Sequence, residues 1–171
     1  MTRIFADQID VELTVNGEPV EARVPVGQHV IDFLRQNLGL TGAHASCEHG
    51  VCGACTIRVD GSSVRGCLML AAQLDGADVW TIEGLSDSDS IRDLQEAFIA
   101  RNALQCGFCT PGMLVAAEEL LAQGGVPERT AIREHLSGNY CRCTGYEAIV
   151  DAVETVARQR AGQVQSGKVQ A

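Results

Sequence analysis

The sequence predicts an α+β fold in which strands and helices occupy different parts of the chain. Up to about residue 83, apolar and polar residues alternate in short segments that turn dipeptides separate. Beyond that point apolar residues recur at helical spacing. Eight cysteines fall into two sets of four, one set in each part. We therefore predict two small domains, residues 1–83 and residues 84–160, followed by a flexible tail over residues 161–171.

The first domain is predicted to contain two hairpins and a helix. Residues 9–15 alternate as a strand, and residues 20–26 form the returning strand. Asn16-Gly17 between them fits a tight turn because both residues accept positive φ. A helix follows and ends at Gly39. The remaining predicted elements are a cysteine-rich loop, a second hairpin and a short last strand, at residues 41–55, 56–67 and 79–82.

The second domain is predicted to consist of four helices. Residues 83–90 (EGLSDSDS) are interpreted as a polar linker that leads into the first of them. Proline is tolerated in a first helical turn because its missing N–H would have no partner there. The four helix starts are indicated by Ser90 as an N-cap, by Pro111, by Pro127, and by a capping box of Thr144 and Glu147.

Composition excludes several classes of protein. Thirteen Lys and Arg against 22 Asp and Glu give a net charge of −9, and no basic stripe that would bind nucleic acid is present. The 46% hydrophobic content indicates a globular protein. No signal peptide and no run of roughly 18 apolar residues is found, so we expect no membrane insertion and a cytoplasmic location. Disulfides are rare in that compartment, and the eight cysteines therefore indicate metal.

The first cysteine set has the spacing of a plant-type [2Fe–2S] ferredoxin. It consists of Cys47, Cys52, Cys55 and Cys67. Such a loop wraps the cluster with three thiolates while backbone N–H groups point at the sulfurs. A structural zinc site also uses four cysteines, but usually as two short pairs. His44 and His49 lie in the same loop, and with four cysteines present neither is needed as a ligand.

The second cysteine set is made of two pairs, each just before a predicted helix. Its members are Cys106, Cys109, Cys141 and Cys143. Helix N-termini carry partial positive charge, which favours thiolates and an anionic cluster. By spacing alone this set could bind zinc or iron and sulfide.

Three motifs taken together resemble one known family. CEHGVCGACT, QCGFCTPGM and LSGNYCRCTGY are similar to the small iron–sulfur subunit of the molybdenum hydroxylases, which include xanthine dehydrogenase, aldehyde oxidoreductases and aerobic carbon monoxide dehydrogenase. The resemblance covers residues 9–160 and includes all eight cysteines. It implies a β-grasp, ferredoxin-like [2Fe–2S] domain followed by a four-helix [2Fe–2S]-binding domain.

The resemblance also implies how the chain works. Electrons from a molybdopterin centre in a large subunit would pass singly through two [2Fe–2S] clusters to FAD in a medium subunit. Gln105 would contact the pterin, and the cluster bound by Cys106 would receive the electrons first. The chain would have no substrate-converting site of its own and would assemble as a heterotrimer or a dimer of heterotrimers.

Two other functions are left open by the residues themselves. A free-standing two-cluster ferredoxin would use the same cysteines without partner subunits. A zinc-stabilised interaction module would use them without any redox role. Metal content and copurifying chains distinguish the three functions.

Overall fold

The computed structural model describes residues 7–168, with side chains described up to residue 163. Five strands form one sheet: Gln8–Val15 (β1), Glu18–Pro25 (β2), Thr56–Val59 (β3), Ser62–Arg65 (β4) and Asp78–Trp80 (β5). Their order across the sheet is β2-β1-β5-β3-β4. β1 runs parallel to β5, and the other neighbouring strands are antiparallel. The sheet is therefore mixed.

Local sequence signals account for the two hairpins. β1 and β2 pair along their whole length, and Asn16 (φ 54°) and Gly17 (φ 86°) form the turn between them. The alternation of β1 turns Val11, Leu13 and Val15 into the core. β5 is shorter than predicted, because the chain leaves the sheet at Thr81 to begin a helix.

One short helix covers this sheet. Val30–Asp32 (α1) continues as a π-helical turn over Phe33–Asn37, and Gly39 follows with positive φ, as predicted. A 3₁₀ turn at Ala71–Gln73 precedes β5. Buried side chains of α1 and its continuation, including Ile31, Phe33 and Leu34, pack against the strands.

Five helices follow the sheet. Their bounds are Ile82–Asp87 (α2), Arg92–Ala100 (α3), Thr110–Ala122 (α4), Arg129–Leu136 (α5) and Glu147–Lys168 (α6). The four predicted helices correspond to α3, α4, α5 and α6, so the predicted α+β fold class is confirmed. None of the helices over residues 7–168 combines the length and the apolar character that a bilayer crossing requires.

The linker predicted at residues 83–90 is wrong, because α2 occupies most of it. Gly84 and Leu85 are buried in this helix. Ser86 donates its hydroxyl to the Ile82 carbonyl at 2.7 Å, and Ser90 donates to the Leu85 carbonyl at 3.0 Å. Leu85 packs into the core of the helical domain, and this packing stabilises the helix despite its polar composition. The serine hydroxyls are satisfied by carbonyls of the same segment. Ser90 is not an N-cap, since that position belongs to Ile91.

The predictions for the last helix also need correction. α6 begins at Glu147, so Thr144 lies three residues before the helix and is not the N-cap of the predicted capping box. Its hydroxyl instead accepts from the N–H of Tyr146 at 3.3 Å and donates to the Cys141 sulfur at 3.1 Å. The predicted tail does not begin at residue 161 as irregular chain: α6 continues through residues 161–168. Extending a packed helix adds a hydrogen bond for each residue fixed. Residues 169–171 lie outside the described part, and the flexibility of the tail stays a prediction.

The helix α4 lies between the two sets of elements. It packs on β3 and β4 on one side and on α2, α3 and α5 on the other. Nearly all of its apolar residues are therefore buried: Met113, Leu114, Val115, Ala116, Ala117, Leu120 and Leu121. Glu119 of the same helix accepts from the backbone N–H of Ser63 at 2.6 Å. This helix thus joins the sheet to the helical domain.

A second polar link holds the helices together. Arg160 of α6 pairs with Asp93 of α3 at 2.7 Å and with Glu118 of α4 at 2.8 Å. The side chain of Glu118 is only 15% exposed. The hydrogen bond from Arg160 lowers the pKa of Asp93, so this carboxylate is ionised at neutral pH.

Replacing Arg160 by methionine is expected to destabilise the protein by about 1–2 kcal/mol at pH 7, because two carboxylates lose their common partner. This range allows for solvent screening of the half-exposed Asp93. Arg158→Met is the matched control: Arg158 is 68% exposed and bonds only Glu154 among the residues whose contacts are described, so a change below about 0.5 kcal/mol is expected. Urea unfolding followed by circular dichroism measures both. Equal losses in the two variants would contradict a role for Arg160 in joining three helices.

Candidate metal centres

Three cysteines of the first set lie on the loop that leads into β3, and the fourth, Cys67, follows β4. Cys47 and Cys52 are half-buried, and Cys55 and Cys67 are buried. The backbone N–H of Cys52 donates to the sulfur of Cys47 at 3.4 Å. All eight cysteines of the chain lie within the described residues, and none forms a disulfide.

The pKa values of two thiols in this first set are shifted in opposite directions. Backbone N–H groups, that of Cys52 first and that of His49 next, lower the pKa of Cys47 to about 6. Burial raises the pKa of Cys55 to about 11; the backbone N–H of Cys67 opposes this rise, and the Cys67 thiol adds to it. A positive metal bound here would stabilise the thiolate form of both.

The second cysteine set lines a cavity of about 600 Å³ between the start of α4 and the loop before α6. The sulfurs of Cys106 and Cys143 are 3.6 Å apart, and both residues are exposed. Cys109, the N-cap residue of α4, is half-buried beside Cys141. Cys52 of the first set also reaches the wall of this cavity.

Opposing effects act on the inner pair of the second set. Burial raises the pKa of Cys109 to about 12, and the adjacent Cys141 contributes in the same direction. Burial also acts to raise the pKa of Cys141, but hydrogen bonds from the hydroxyl and the backbone N–H of Thr144 outweigh it and lower that pKa.

The thiols fit a binuclear cluster better than a single ion. Side-chain hydrogen bonds pair the thiols of Cys55 and Cys67, Cys106 and Cys143, and Cys109 and Cys141, and the sulfur of Cys47 accepts from the N–H of Cys52. Tetrahedral zinc needs four donors around one centre. A [2Fe–2S] cluster also takes four cysteines but has two irons, so pairs of thiolates suit it.

Two family models match the chain, one over each half. A 2Fe-2S iron-sulfur cluster binding domain matches residues 13–81, and a [2Fe-2S] binding domain matches residues 81–154. The nicotine 6-hydroxylase small subunit of Paenarthrobacter nicotinovorans is 50% identical over 86% of this chain and 89% of its own length. The chain belongs to the small [2Fe–2S] subunits of the molybdenum hydroxylases.

Solved structures agree with this membership. Quinoline 2-oxidoreductase from Pseudomonas putida 86 matches with a TM-score of 0.83 and 46% identity, over 90% of this chain and 98% of that one. The aldehyde oxidoreductase from Desulfovibrio gigas matches with a TM-score of 0.84 and 40% identity, over 91% of this chain but only 17% of that one. The small subunit thus corresponds to one part of a much longer chain in the Desulfovibrio enzyme.

Two histidines of this small subunit lie beside its cysteines. His44 donates from Nδ1 to the Phe108 carbonyl at 2.7 Å, and its ring stacks on that of Phe108 with centroids 4.5 Å apart. His49 donates from Nδ1 to the carbonyl of Cys47 at 2.5 Å. His44 therefore connects the first cysteine loop to the QCGFC segment, a contact that the sequence did not predict.

Gln105 has a role within the chain that the sequence did not indicate. Its Nε2 donates to the Cys143 carbonyl at 2.9 Å, and the residue is exposed. Gln105 therefore ties the segment that carries Cys106 to the one that carries Cys143. Residues 38 positions apart meet here, and one sequence offers no signal for such a contact.

Tyr146 is a second residue that sequence patterns missed. Its hydroxyl accepts from the backbone N–H of Cys141 at 2.7 Å and donates to the Asn139 carbonyl at 3.2 Å. The loop before α6 therefore closes on itself, and Tyr146 takes a positive φ of 66° within it.

Proposed function

We propose that this small subunit passes electrons, one at a time, from a molybdopterin centre in a large subunit through two [2Fe–2S] clusters to FAD in a medium subunit. The observation that carries the proposal is the division of eight thiols into two separate sets, each built of two contacting pairs. Two four-cysteine sets correspond to two [2Fe–2S] clusters.

We assign one cluster to each domain, with the boundary at residues 83 and 84. In the first domain the ligands are Cys47, Cys52, Cys55 and Cys67. In the second they are Cys106, Cys109, Cys141 and Cys143. The separate family matches to residues 13–81 and 81–154 support this division.

The chain holds and tunes these centres with its own groups. Each centre, when bound, takes up and releases one electron at a time. The N–H of Cys52 at the Cys47 sulfur and the N–H and hydroxyl of Thr144 at the Cys141 sulfur favour negative charge on those atoms. The buried Cys55 and Cys67 limit access of water to the first centre.

The exposure of the second set supports a partner-bound protein. Cys106 and Cys143 are exposed together with Gln105, so this face of the second centre is open in the isolated chain. We propose that the large subunit covers it, with Gln105 contacting the pterin. In the Desulfovibrio gigas aldehyde oxidoreductase the matching segment is 17% of one longer chain, which supports a permanent association with other parts of the enzyme. We retain the prediction of a heterotrimer or a dimer of heterotrimers, and of the cytoplasm, where eight thiols stay reduced.

Metal analysis and copurification test the proposal. The purified protein should contain about four irons and four acid-labile sulfides per chain, because each [2Fe–2S] centre uses four cysteines. Electron paramagnetic resonance (EPR) of the reduced protein should show two distinct [2Fe–2S] signals. A tagged chain expressed with its neighbouring genes should copurify with a molybdopterin subunit and a flavin subunit.

Each rival function predicts a different result. A colourless protein that contains zinc would exclude both redox functions. Two [2Fe–2S] signals in a chain that purifies alone from its native cells would favour a free-standing ferredoxin instead.

A further inference from the structure

A buried polar junction joins the two cysteine loops. The role that we infer for it rests on the proposed function. The junction consists of Thr56 on β3, Arg65 on β4 and Asn139 between α5 and α6; we call it the Asn139 junction. Asn139 is 2% exposed and Thr56 is 1% exposed. Buried polar side chains are costly unless they are hydrogen-bonded, so the partners of these two decide what the junction does.

Asn139 uses both ends of its amide in this junction. Its Nδ2 donates to the Gly53 carbonyl at 3.0 Å and to the Thr56 hydroxyl at 3.1 Å. Its Oδ1 accepts from Arg65 Nη2 at 3.3 Å. One side chain of the helical domain therefore bonds three groups of the ferredoxin-like domain.

Arg65 and Thr56 complete the network. Arg65 donates from Nη2 to the Gly138 carbonyl at 2.7 Å and from Nη1 to the Thr56 hydroxyl. Thr56 in turn donates to the Gly53 carbonyl at 2.6 Å. The Thr56 oxygen thus has one acceptor and two donors, and the network fixes its orientation.

Close packing of the backbone leaves the junction little freedom. Gly53 has a positive φ of 73°, and a Cβ on it would lie 2.5 Å from the Gly138 carbonyl oxygen. A Cβ on Gly112 of α4 would lie 2.4 Å from the Gly53 carbonyl oxygen. Three backbone segments therefore meet at one place without room for a methyl group.

The residues next to this junction carry the cysteines. Gly53 follows Cys52, and Asn139 precedes Tyr140 and Cys141. The backbone N–H of Tyr140 donates to the carbonyl of Cys52 at 2.8 Å. This hydrogen bond links the two cysteine loops directly. Its donor, Tyr140, is the residue after Asn139, and its acceptor, Cys52, is the residue before Gly53.

We propose that Asn139 and Thr56 are positioning residues for electron passage between the two domains. They hold the N–H of Tyr140 against the carbonyl of Cys52, which fixes the separation and the bonded path from Cys141 to Cys52. With both centres bound, one electron would pass from the reduced centre of the helical domain, which would thereby be oxidised, to the oxidised centre of the ferredoxin-like domain, which would be reduced. No covalent bond is formed or broken, and no proton is transferred.

Threonine variants of the full chain test this role. Thr56→Val keeps the shape of the side chain but removes the oxygen that Asn139, Arg65 and Gly53 share. Thr56→Ser restores that oxygen and is the conservative rescue. Thr155→Val is the matched control, because Thr155 on α6 bonds Asp151 and Arg101 away from the junction.

Two measurements report on the junction without relying on substrate turnover. Low-temperature EPR of the fully reduced protein measures the magnetic interaction between the two centres, and photoreduction followed by optical spectroscopy measures the rate of electron exchange between them. In Thr56→Val we expect both individual signals to persist, the magnetic splitting to shrink and the exchange to slow severalfold. Thr56→Ser and Thr155→Val should match the unaltered protein.

The outcomes separate this inference from the proposed function. Unchanged splitting and exchange in Thr56→Val would overturn the inference while leaving two centres and the proposed function intact. Fewer than two signals in the unaltered protein would instead overturn the proposed function. If Thr56→Val failed to fold, Arg65→Lys would decide, because lysine keeps the charge but lacks the two-nitrogen fork that bonds Gly138 and Thr56. Unchanged splitting in that variant would equally overturn the inference.

Discussion

Replacing Cys106 by serine is expected to abolish the [2Fe–2S] signal of the helical domain and to leave the plant-type signal intact. The sulfur of Cys106 pairs with that of Cys143 at 3.6 Å, and neither belongs to the set around Cys55 and Cys67. About half of the bound iron should be lost, because one of two four-cysteine sites is broken. Electron flow from the molybdenum subunit should stop while reduction of the remaining centre by dithionite continues.

The matched control for this variant is Cys47→Ser in the other set. It should remove the plant-type signal and spare the signal of the helical domain. Quantitative EPR, iron analysis and visible absorbance of the two proteins give the comparison. If either single substitution removed both signals equally, the assignment of eight cysteines to two independent centres would be wrong.

Replacing Gly112 by alanine is expected to destabilise the protein strongly, although it adds only one methyl group. The new Cβ would lie 2.4 Å from the Gly53 carbonyl oxygen and 3.2 Å from Asn139 Nδ2, so backbone must move. Overpacking of this kind costs about 3 kcal/mol. For a chain of this size the melting temperature should fall by about 6–12 °C. Thermal unfolding followed by circular dichroism and by visible absorbance measures it.

A glycine elsewhere in a helix serves as the control. Among the residues whose side chains are described, a Cβ on Gly162 of α6 would meet no atom within 4 Å outside the backbone of its own helix. Gly162→Ala should therefore leave stability unchanged or raise it by up to about 1 kcal/mol, because alanine favours helix over glycine. Equal melting temperatures for Gly112→Ala and Gly162→Ala would show that α4 does not press on the first cysteine loop.

Short-range patterns were reliable where a few neighbouring residues decide the conformation. Alternation gave β1, the Asn16-Gly17 dipeptide gave its turn, and Pro111 gave the start of α4. The same patterns failed at residues 83–90, where packing of Leu85 into the helical core stabilises a helix in a polar stretch. Tertiary packing outweighs weak local preference in such segments.

The candidate metal sites divide in the same way. Spacing alone singled out all eight cysteines as candidate ligands, because a ligand set leaves a compact record in the sequence, and their role as ligands stays a prediction. The pairing of Cys106 with Cys143 and of Cys109 with Cys141, and the contact of His44 with the QCGFC segment, join residues more than thirty positions apart. No local pattern records such contacts, since they arise only when two separate loops are brought together.

By itself the sequence predicted the two-part organisation and the two cysteine sets, and its three motifs indicated the family. Each of these follows from residue type and spacing along the chain. Only the tertiary structure shows the hydrogen bond between Asn139 and Thr56 that links the two parts, and the one from the N–H of Tyr140 to the carbonyl of Cys52. The physical reason is that a buried polar group must find its partners in space, and the fold chooses those partners from distant segments.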